Sequence, residues 1–235
     1  MTSTVARRGF NWLALALLAL VPAFIALGVW QVHRLAWKET LIAQVDRATH
    51  AAPFPVAGLP QGPLKPLEYR RLSISGTYRA QGVTLVTGTS VLGSGYWVLV
   101  PLQPDRGLPV LVNRGFVPAG SRVDQVRRAT PSGRVTVTGL LRLTEPGGTF
   151  LRANRPADDR WYSRDVVAIA ARRGLKVDPR LFIDTQTESP LVAEAPVAGL
   201  TVLTFPNNHL AYALTWFALA ALSAAGAVVV WRRPS

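Results

Sequence analysis

The histidine at position 209 is the residue of this chain whose type and position most favour ligand chemistry. Asn207 and Asn208 precede it and an apolar run follows. The imidazole is therefore expected at the outer edge of a membrane span, where ionisable groups are functional candidates. Tyr212 and Trp216 follow at i+3 and i+7, on the same helical face. Such a group can hold a flat macrocycle such as haem through its iron. The residues alone favour the other interpretation, an interfacial aromatic belt.

A second polar group lies near the end of the other apolar run. Gln31, Arg34 and Lys38 are spaced as i, i+3 and i+7, which forms a polar stripe on one side of a helix. Cations at that depth pair with haem propionates or with lipid phosphates. His33 lies at a similar depth and is a candidate second axial ligand, although it is about 100° from Arg34 around a helix. The sequence leaves these uses open.

Other chemistry is poorly represented. The absence of cysteine excludes disulfides, iron–sulfur clusters and thiolate metal sites. The only methionine is the first residue, which argues against copper(I) delivery through sulfur. No serine-hydrolase, zinc-protease or phosphate-loop motif occurs. The Asp158-Asp159 pair lies in a Pro/Arg-rich loop, where such carboxylates are usually solvated. We therefore expect no enzymatic activity, and a membrane-anchored hydrolase using His50 is the alternative enzyme class.

Two uncharged apolar runs, Trp12–Trp30 and Leu210–Trp231, are 19 and 22 residues long. At a helical rise of about 1.5 Å per residue, each covers the roughly 30 Å hydrocarbon core of a bilayer. We predict transmembrane helices over residues 10–32 and 209–231. Arg7-Arg8 also resembles a twin-arginine export signal, with a small-x-small site at Ala26-Leu27-Gly28. The first run exceeds the length of a signal core and is bracketed by tryptophans, which favours a retained span.

The short flanks of the two spans determine the expected orientation. Arg7 and Arg8 precede the first, and Arg232 and Arg233 follow the second, so both termini are predicted to be cytoplasmic. In a bacterium the central domain is then periplasmic and the protein is a multi-pass inner-membrane protein. This domain carries 22 of the 26 basic residues and all 13 acidic ones, or about +9. The simplest interpretation is a solvated basic surface, and the functional alternative is a docking face for an acidic partner or for the anionic headgroups of membrane lipid. We expect no nucleic-acid partner.

The central region is predicted to be a mostly antiparallel β domain (α+β) flanked by the two spans. A juxtamembrane helix over 33–50 and a proline-rich loop, Ala51–Pro66, lead into the domain at 67–206. A helix is predicted at Asp165–Arg173, with Ser163 as N-cap and Gly174 as its stop. Turns at Gly82, Gly93–Gly95 and Asp105–Gly107 favour antiparallel pairing. The predicted strands are Tyr69–Tyr78, Val83–Thr87, Tyr96–Leu102, Val110–Val117 (broken by Asn113-Arg114-Gly115), Val135–Leu143, Leu181–Asp184 and Leu200–Thr204.

Five segments, taken in order, resemble the Surfeit locus protein 1 family of cytochrome c oxidase assembly factors. They are GVWQVHRLAWKETLI (Gly28–Ile42), EYRRLSISGTY (Glu68–Tyr78), VLVNRGFVP (Val110–Pro118), WYSRDVVAIAARRGL (Trp161–Leu175) and NHLAYALTWFALA (Asn208–Ala220). The likeness covers nearly the whole chain and both spans. The family's Gly-x-Trp-Gln pattern falls on Gly28, Trp30 and Gln31, its Asn-Arg-Gly motif on residues 113–115, and its histidine on His209. The position of His33 varies in the family.

The resemblance implies a non-enzymatic assembly factor for oxidases that contain haem a. It implies that haem a binds transiently at the outer ends of the two spans and is passed to oxidase subunit I, with a haem a synthase as a further partner. His209 is then the axial iron ligand. Gln31, Trp30, Arg34, Tyr212 and Trp216 are the other expected haem-binding residues. The alternative is a scaffold that docks oxidase subunits during biogenesis and needs no haem.

Overall fold

The computed structural model describes residues 12–201 and 205–232. The chain forms two compact units, one from residues 1–44 with 204–235 and the other from residues 45–203. Four helices occur in the described residues: α1 (Trp12–His50), α2 (Val123–Arg128), α3 (Val166–Arg173) and α4 (His209–Arg232). The strands are β1 (Phe54–Pro55), β2 (Arg71–Tyr78), β3 (Thr84–Ser90), β4 (Gly93–Pro104), β5 (Val110–Pro118), β6 (Arg134–Leu143) and β7 (Leu181–Ser189).

The first unit contains α4 and most of α1, and both helices are long and apolar enough to cross a membrane. The predicted span 10–32 and juxtamembrane helix 33–50 belong to one continuous helix from Trp12, and residues 10 and 11 lie outside the described part. The predicted second span begins with α4 at His209. The lengths and hydropathy of these helices are consistent with a membrane protein.

The buried side of each long helix follows a heptad-like spacing, which we call the seam. Successive seam positions are three or four residues apart, the spacing that lets two helices pack along a shared stripe. On α1 the buried or half-buried seam residues are Ala14, Leu17, Val21, Phe24, Gly28 and Gln31. On α4 they are His209, Ala213, Trp216, Ala220, Ser223 and Ala227. Phe24 stacks on Trp216, while Gly226 lies nearest to Leu17, so the helices run antiparallel.

The second unit is a β-barrel closed by five strands. Around the barrel β2 pairs with β6, β6 with β7, β7 with β5, β5 with β4, and β4 with the end of β2. Four of these pairings are antiparallel and β5–β7 is parallel. Strand β3 follows β2 in the chain and also pairs with β4, and α2 lies between β5 and β6 in the chain. This is the strand order of the OB-fold. The sheet is therefore mixed, and most of its pairings are antiparallel, as predicted.

The two faces of the barrel wall pack against two separate hydrophobic cores. Side chains alternate along a strand, so Val110 and Val112 of β5 enter the barrel interior while Leu111 faces outward. Trp161 and Ile169, from the β6–β7 connection and its helix α3, cover that outward face. Burial on both sides explains why these strands are continuous apolar runs in the sequence. The same packing by Trp161 and Ile169 covers the β4–β5 face, which corresponds to the face through which OB-folds bind oligonucleotides.

Several local predictions are wrong, each for an identifiable reason. The Asn113-Arg114-Gly115 triplet does not break β5, because the polar side chains have buried partners on β7. Asp165, not Ser163, caps α3: its carboxylate accepts from the Ala168 amide at 3.0 Å, and Gly174 ends the helix as predicted.

Other differences concern connections. The turn at Gly82 does not join an antiparallel hairpin, since β2 pairs with β6 and β4 rather than with β3. The segment expected as a loop, Ala51–Pro66, contributes the short parallel strand β1. Helix α2 was not predicted. Leu200 and Thr201 are not in a strand, and the remainder of the predicted strand Leu200–Thr204 lies outside the described residues.

Candidate functional site

His209, the first residue of α4, is hydrogen-bonded to Gln31 of α1. The two side-chain atoms, His209 Nδ1 and Gln31 Oε1, are 2.7 Å apart. Gln31 is only 9% exposed, so its amide has little alternative contact with water. A carboxamide oxygen can only accept, so Nδ1–H of His209 is the donor, and the neutral ring keeps its lone pair on Nε2. A hydrogen bond from one ring N–H to an oxygen acceptor is common at metal-ligating histidines, where it orients the ring.

The packing of the two helices below this pair fixes its position. The rings of Phe24 and Trp216 stack with centroids 5.6 Å apart. At Gly28 the helix comes so close to Phe217 that an added Cβ would lie 2.5 Å from the ring. Small residues at such contacts let helices approach closely within a bilayer. Gln31 and His209 therefore sit at the outer end of a tightly packed seam.

Three more of the predicted haem-binding residues, Trp30, Arg34 and Tyr212, lie on exposed surface beside the seam. Trp30 and Tyr212 are each 56% exposed. Arg34 is about 60° around α1 from Gln31, and Tyr212 about 60° around α4 from His209, by the helical repeat. Because α1 and α4 are antiparallel, these two rotations place Arg34 and Tyr212 on the same side of the helix pair. The Arg34 guanidinium lies 3.9 Å from the Trp37 ring centroid.

Trp216, the sixth predicted residue, lies two turns deeper along α4, in the seam against Phe24. His33 is exposed and lies about 200° around α1 from Gln31, on the side away from the seam. The structure therefore brings His209 and Gln31 together, sets Trp30, Arg34 and Tyr212 on one adjoining side, and does not bring His33 to that side. Lys38 contacts Phe205, with its Nζ 5.4 Å from the ring centroid.

The Asn-Arg-Gly motif belongs to the barrel and has a structural role. Arg114 donates to both carboxylate oxygens of Glu188, at 2.9 and 2.6 Å, and the two side chains are 1% and 6% exposed. The Tyr78 hydroxyl donates to the same carboxylate at 2.6 Å. Burial, followed by the charge of Glu188, raises the pKa of Tyr78 far above its usual value, so it stays protonated. The buried arginine is thus fully paired.

Asp184 connects the motif to the segment that leads toward α4. Its carboxylate accepts hydrogen bonds from Asn113 at 2.7 Å and from Thr201 at 3.2 Å. The backbone of Gly115, at φ +132°, lies against the Val197 carbonyl, where a Cβ would collide. The segment 197–201 is therefore held on the barrel by this motif. These buried partners were not identified from the sequence, since nothing local pairs position 113 with 184.

His50, the candidate hydrolase residue, and Asp159 of the Asp158-Asp159 pair each contact other side chains. The His50 ring contacts Asp46 and the hydroxyl of Thr49, at 3.3 Å, rather than a serine. Asp159 is bound by Arg173 and by the Trp161 indole, at 2.8 Å each. Within residues 12–201 and 205–232 no group of three or more His, Cys, Asp or Glu side chains is placed to hold a metal ion.

The sequence of the chain matches the profile of the SURF1 family over residues 18–221. The chain belongs to the SURF1 family. It is 35% identical to Surfeit locus protein 1 of Rattus norvegicus over 222 residues, 87% of this chain and 71% of the rat protein. It is 35% identical to the Homo sapiens protein over 223 residues, covering 87% and 72% of the two chains. A SURF1-like protein of Monosiga brevicollis is 31% identical over 240 residues, covering 96% and 88%.

The family match includes both members of the Gln31–His209 pair as well as the barrel. The sequence does contain a signal for the pair, the heptad-like spacing of the seam. On α1 this spacing runs through Phe24, Gly28 and Gln31, and on α4 it runs through His209, Ala213 and Trp216. It places both polar side chains in the seam. Together with the expected depth of both residues at the outer ends of the apolar runs, this pattern indicates contact.

Proposed function

We propose that this SURF1-family chain is a non-enzymatic assembly factor for a haem-a-containing cytochrome c oxidase, and that it binds haem a at the outer ends of the two membrane spans, near Gln31 of α1 and His209 of α4. The observation that carries the proposal is the hydrogen bond from His209 to Gln31, which leaves Nε2 of the imidazole free to ligate iron. The cargo is haem a, whose iron accepts an axial nitrogen ligand.

Each neighbouring side chain has a definite part in this proposal. Trp30 and Tyr212 present exposed ring surface that can cover a flat macrocycle, and the Arg34 guanidinium suits a propionate. Trp216, stacked on Phe24, supports the seam beneath. A single axial imidazole with aromatic packing fits a carrier that must hold haem against loss into the bilayer and still release it. The expected recipient is oxidase subunit I, and a haem a synthase is the expected donor.

The proposed location follows from the two apolar helices. Both are long enough to span a bilayer, and arginines flank them at both termini. We place the termini in the cytoplasm and the barrel in the periplasm of a bacterial inner membrane. The seam residues Gln31 and His209 then lie at the periplasmic interface, where haem in the outer leaflet has access.

The test compares wild-type protein with His209→Ala, each purified from membranes of cells that make haem a. We expect the variant to lose most of its haem a per polypeptide and the cells to assemble less haem-a-loaded oxidase. A scaffold that only docks subunits predicts normal assembly with His209→Ala. Undiminished haem a per polypeptide in the variant would exclude His209 as the ligand.

A further inference from the structure

A hairpin in the β6–β7 connection presents two apolar side chains at its tip. Thr149 and Arg152 exchange backbone hydrogen bonds of 2.8 and 3.2 Å, so Phe150 and Leu151 form the two-residue tip. Phe150 is fully exposed and Leu151 is 85% exposed. Gly148 has φ +115°, and a Cβ there would collide with the Arg152 carbonyl. The exposure is therefore imposed by a defined turn that only glycine permits at this position.

The base of the hairpin is attached to the barrel wall. The Gly147 amide donates to the Asp165 carboxylate at 2.9 Å, the same carboxylate group that caps α3. The Asn154 side chain donates to Ser163 at 3.0 Å and accepts from the Tyr162 amide at 2.8 Å. The base of the hairpin is therefore tied to residues 162–165 at the start of α3.

The hairpin begins at the barrel end from which the chain leaves toward both long helices. The connection from α1 enters at Phe54, which pairs with Leu72 at the start of β2. The start of β2 lies beside the end of β6, from which the hairpin connection departs. The connection toward α4 passes Thr201, whose hydroxyl is hydrogen-bonded to Asp184 of β7. Asp184 pairs with Leu140 near the end of β6.

A second apolar hairpin tip, at the β3–β4 turn, lies at the opposite end of the barrel. Val91, 77% exposed, belongs to this turn. Gly95, near this turn, pairs with Pro118 at the end of β5. The opposite end of β5, its start, lies beside the start of β7, which in turn lies beside the end of β6. Val91 is thus a matched apolar tip that points from the other end.

Basic residues follow the Phe150 tip in the sequence, whereas residues 88–95 around Val91 contain none. Arg152 follows Leu151 directly and its guanidinium lies 5.6 Å from the Tyr162 ring centroid. Arg155 and Arg160 pair through their backbones in the same loop. Of the loop's two aspartates, Asp159 is already bound by Arg173. Apolar residues followed by arginines suit a bilayer interface with anionic headgroups.

We propose that the Phe150–Leu151 tip inserts into the interface of an anionic lipid bilayer and orients the barrel on the membrane. This interaction surface is separate from the haem proposal, since it needs neither His209 nor a cofactor. Phe150 and Leu151 supply the apolar contact, and Arg152 supplies the preference for negative charge.

The test uses the absence of cysteine from the natural sequence. Full-length Phe150→Cys and Val91→Cys are each spin-labelled and reconstituted in nanodiscs of phosphatidylcholine, with or without phosphatidylglycerol. Accessibility to oxygen, which partitions into lipid, is compared with accessibility to a water-soluble nickel chelate. We expect the label at position 150 to be several-fold less accessible to nickel than the label at 91. This difference should be larger in discs that contain phosphatidylglycerol. Arg152→Glu added to Phe150→Cys should remove the anionic preference.

Three results would overturn the proposal. Labels at 150 and 91 that are equally open to nickel would exclude insertion of this tip. Labels that are equally protected would show that the tip does not orient the barrel. A label at 150 that is open to nickel in both kinds of disc but becomes protected when oxidase subunits are added assigns the surface to a protein partner. Because both positions are fully or largely exposed, labelling there leaves the fold intact, and Leu151→Cys provides an independent second label.

Discussion

Gln31 and His209 are 178 residues apart in the chain, yet their side chains meet at 2.7 Å across the seam of α1 and α4. The contact joins the first residue of α4 to the middle of α1 and sets which nitrogen of the neutral imidazole carries the proton. The helices are therefore more than anchors for the barrel: together they build a preoriented imidazole. The predictions that follow test this pair, the packing below it, and the barrel that accompanies it.

Removing the acceptor from position 31 should weaken haem binding. Gln31→Leu keeps the approximate size but cannot accept from Nδ1–H. We therefore expect the affinity for haem a to fall about 10- to 100-fold, as when other partners that orient a metal-ligating histidine are lost. Gln31→Glu keeps an acceptor and should bind far better than the leucine variant. Titrating the apoprotein in nanodiscs with haem a, followed by absorption, measures both. Equal affinity of Gln31→Leu and wild type would contradict this role.

Gly28 controls how closely the helices approach. An added side chain would meet the Phe217 ring, so Gly28→Val should separate α1 from α4 and lower haem retention while the barrel stays folded. The neighbouring Val29 is exposed, and Val29→Leu is the matched control. Haem content per polypeptide reports the site, and near-ultraviolet circular dichroism reports the barrel. Full haem retention in Gly28→Val would show that the close approach is unnecessary.

The buried Arg114–Glu188 pair should dominate the stability of the barrel. Glu188→Ala leaves a buried guanidinium unpaired, which costs about 3–5 kcal/mol of unfolding free energy. The double variant Arg114→Met/Glu188→Leu removes both charges and should recover much of that loss. Denaturant unfolding of the full chain, followed by circular dichroism, measures the difference. A single variant as stable as wild type would show that water reaches Arg114.

Asp159 should make the barrel acid-sensitive. Partial burial acts to raise its pKa, but the hydrogen bonds from Trp161 and Arg173 outweigh that and hold the pKa below its usual value. A lowered folded-state pKa stabilises the protein above the unfolded pKa of about 3.9, and this stability is lost as pH falls through the folded pKa. Asp159→Asn should flatten the pH dependence of unfolding free energy below about pH 4. An unchanged slope would contradict the coupling.

Local patterns predicted much of this structure and missed what depends on distant partners. The lengths of the apolar runs predicted both long helices, and β-rich segments predicted strands β2 to β7. The parallel β5–β7 pairing was missed because it joins strands with β6 between them. The strand also continues through Asn113-Arg114-Gly115 because Asp184 and Glu188, on β7, satisfy the polar side chains. Position along the helices predicted a common depth for Gln31 and His209, but not their contact.

The central claim is that the His209 imidazole is the iron ligand, and chemical rescue tests it most directly. Purified His209→Gly, reconstituted in nanodiscs, is titrated with haem a in the absence and presence of free imidazole. The proposal predicts weak binding without imidazole, and restoration of binding with the wild-type absorption spectrum when imidazole is added. Haem a binding in His209→Gly at wild-type affinity and with the wild-type spectrum, without imidazole, would contradict it.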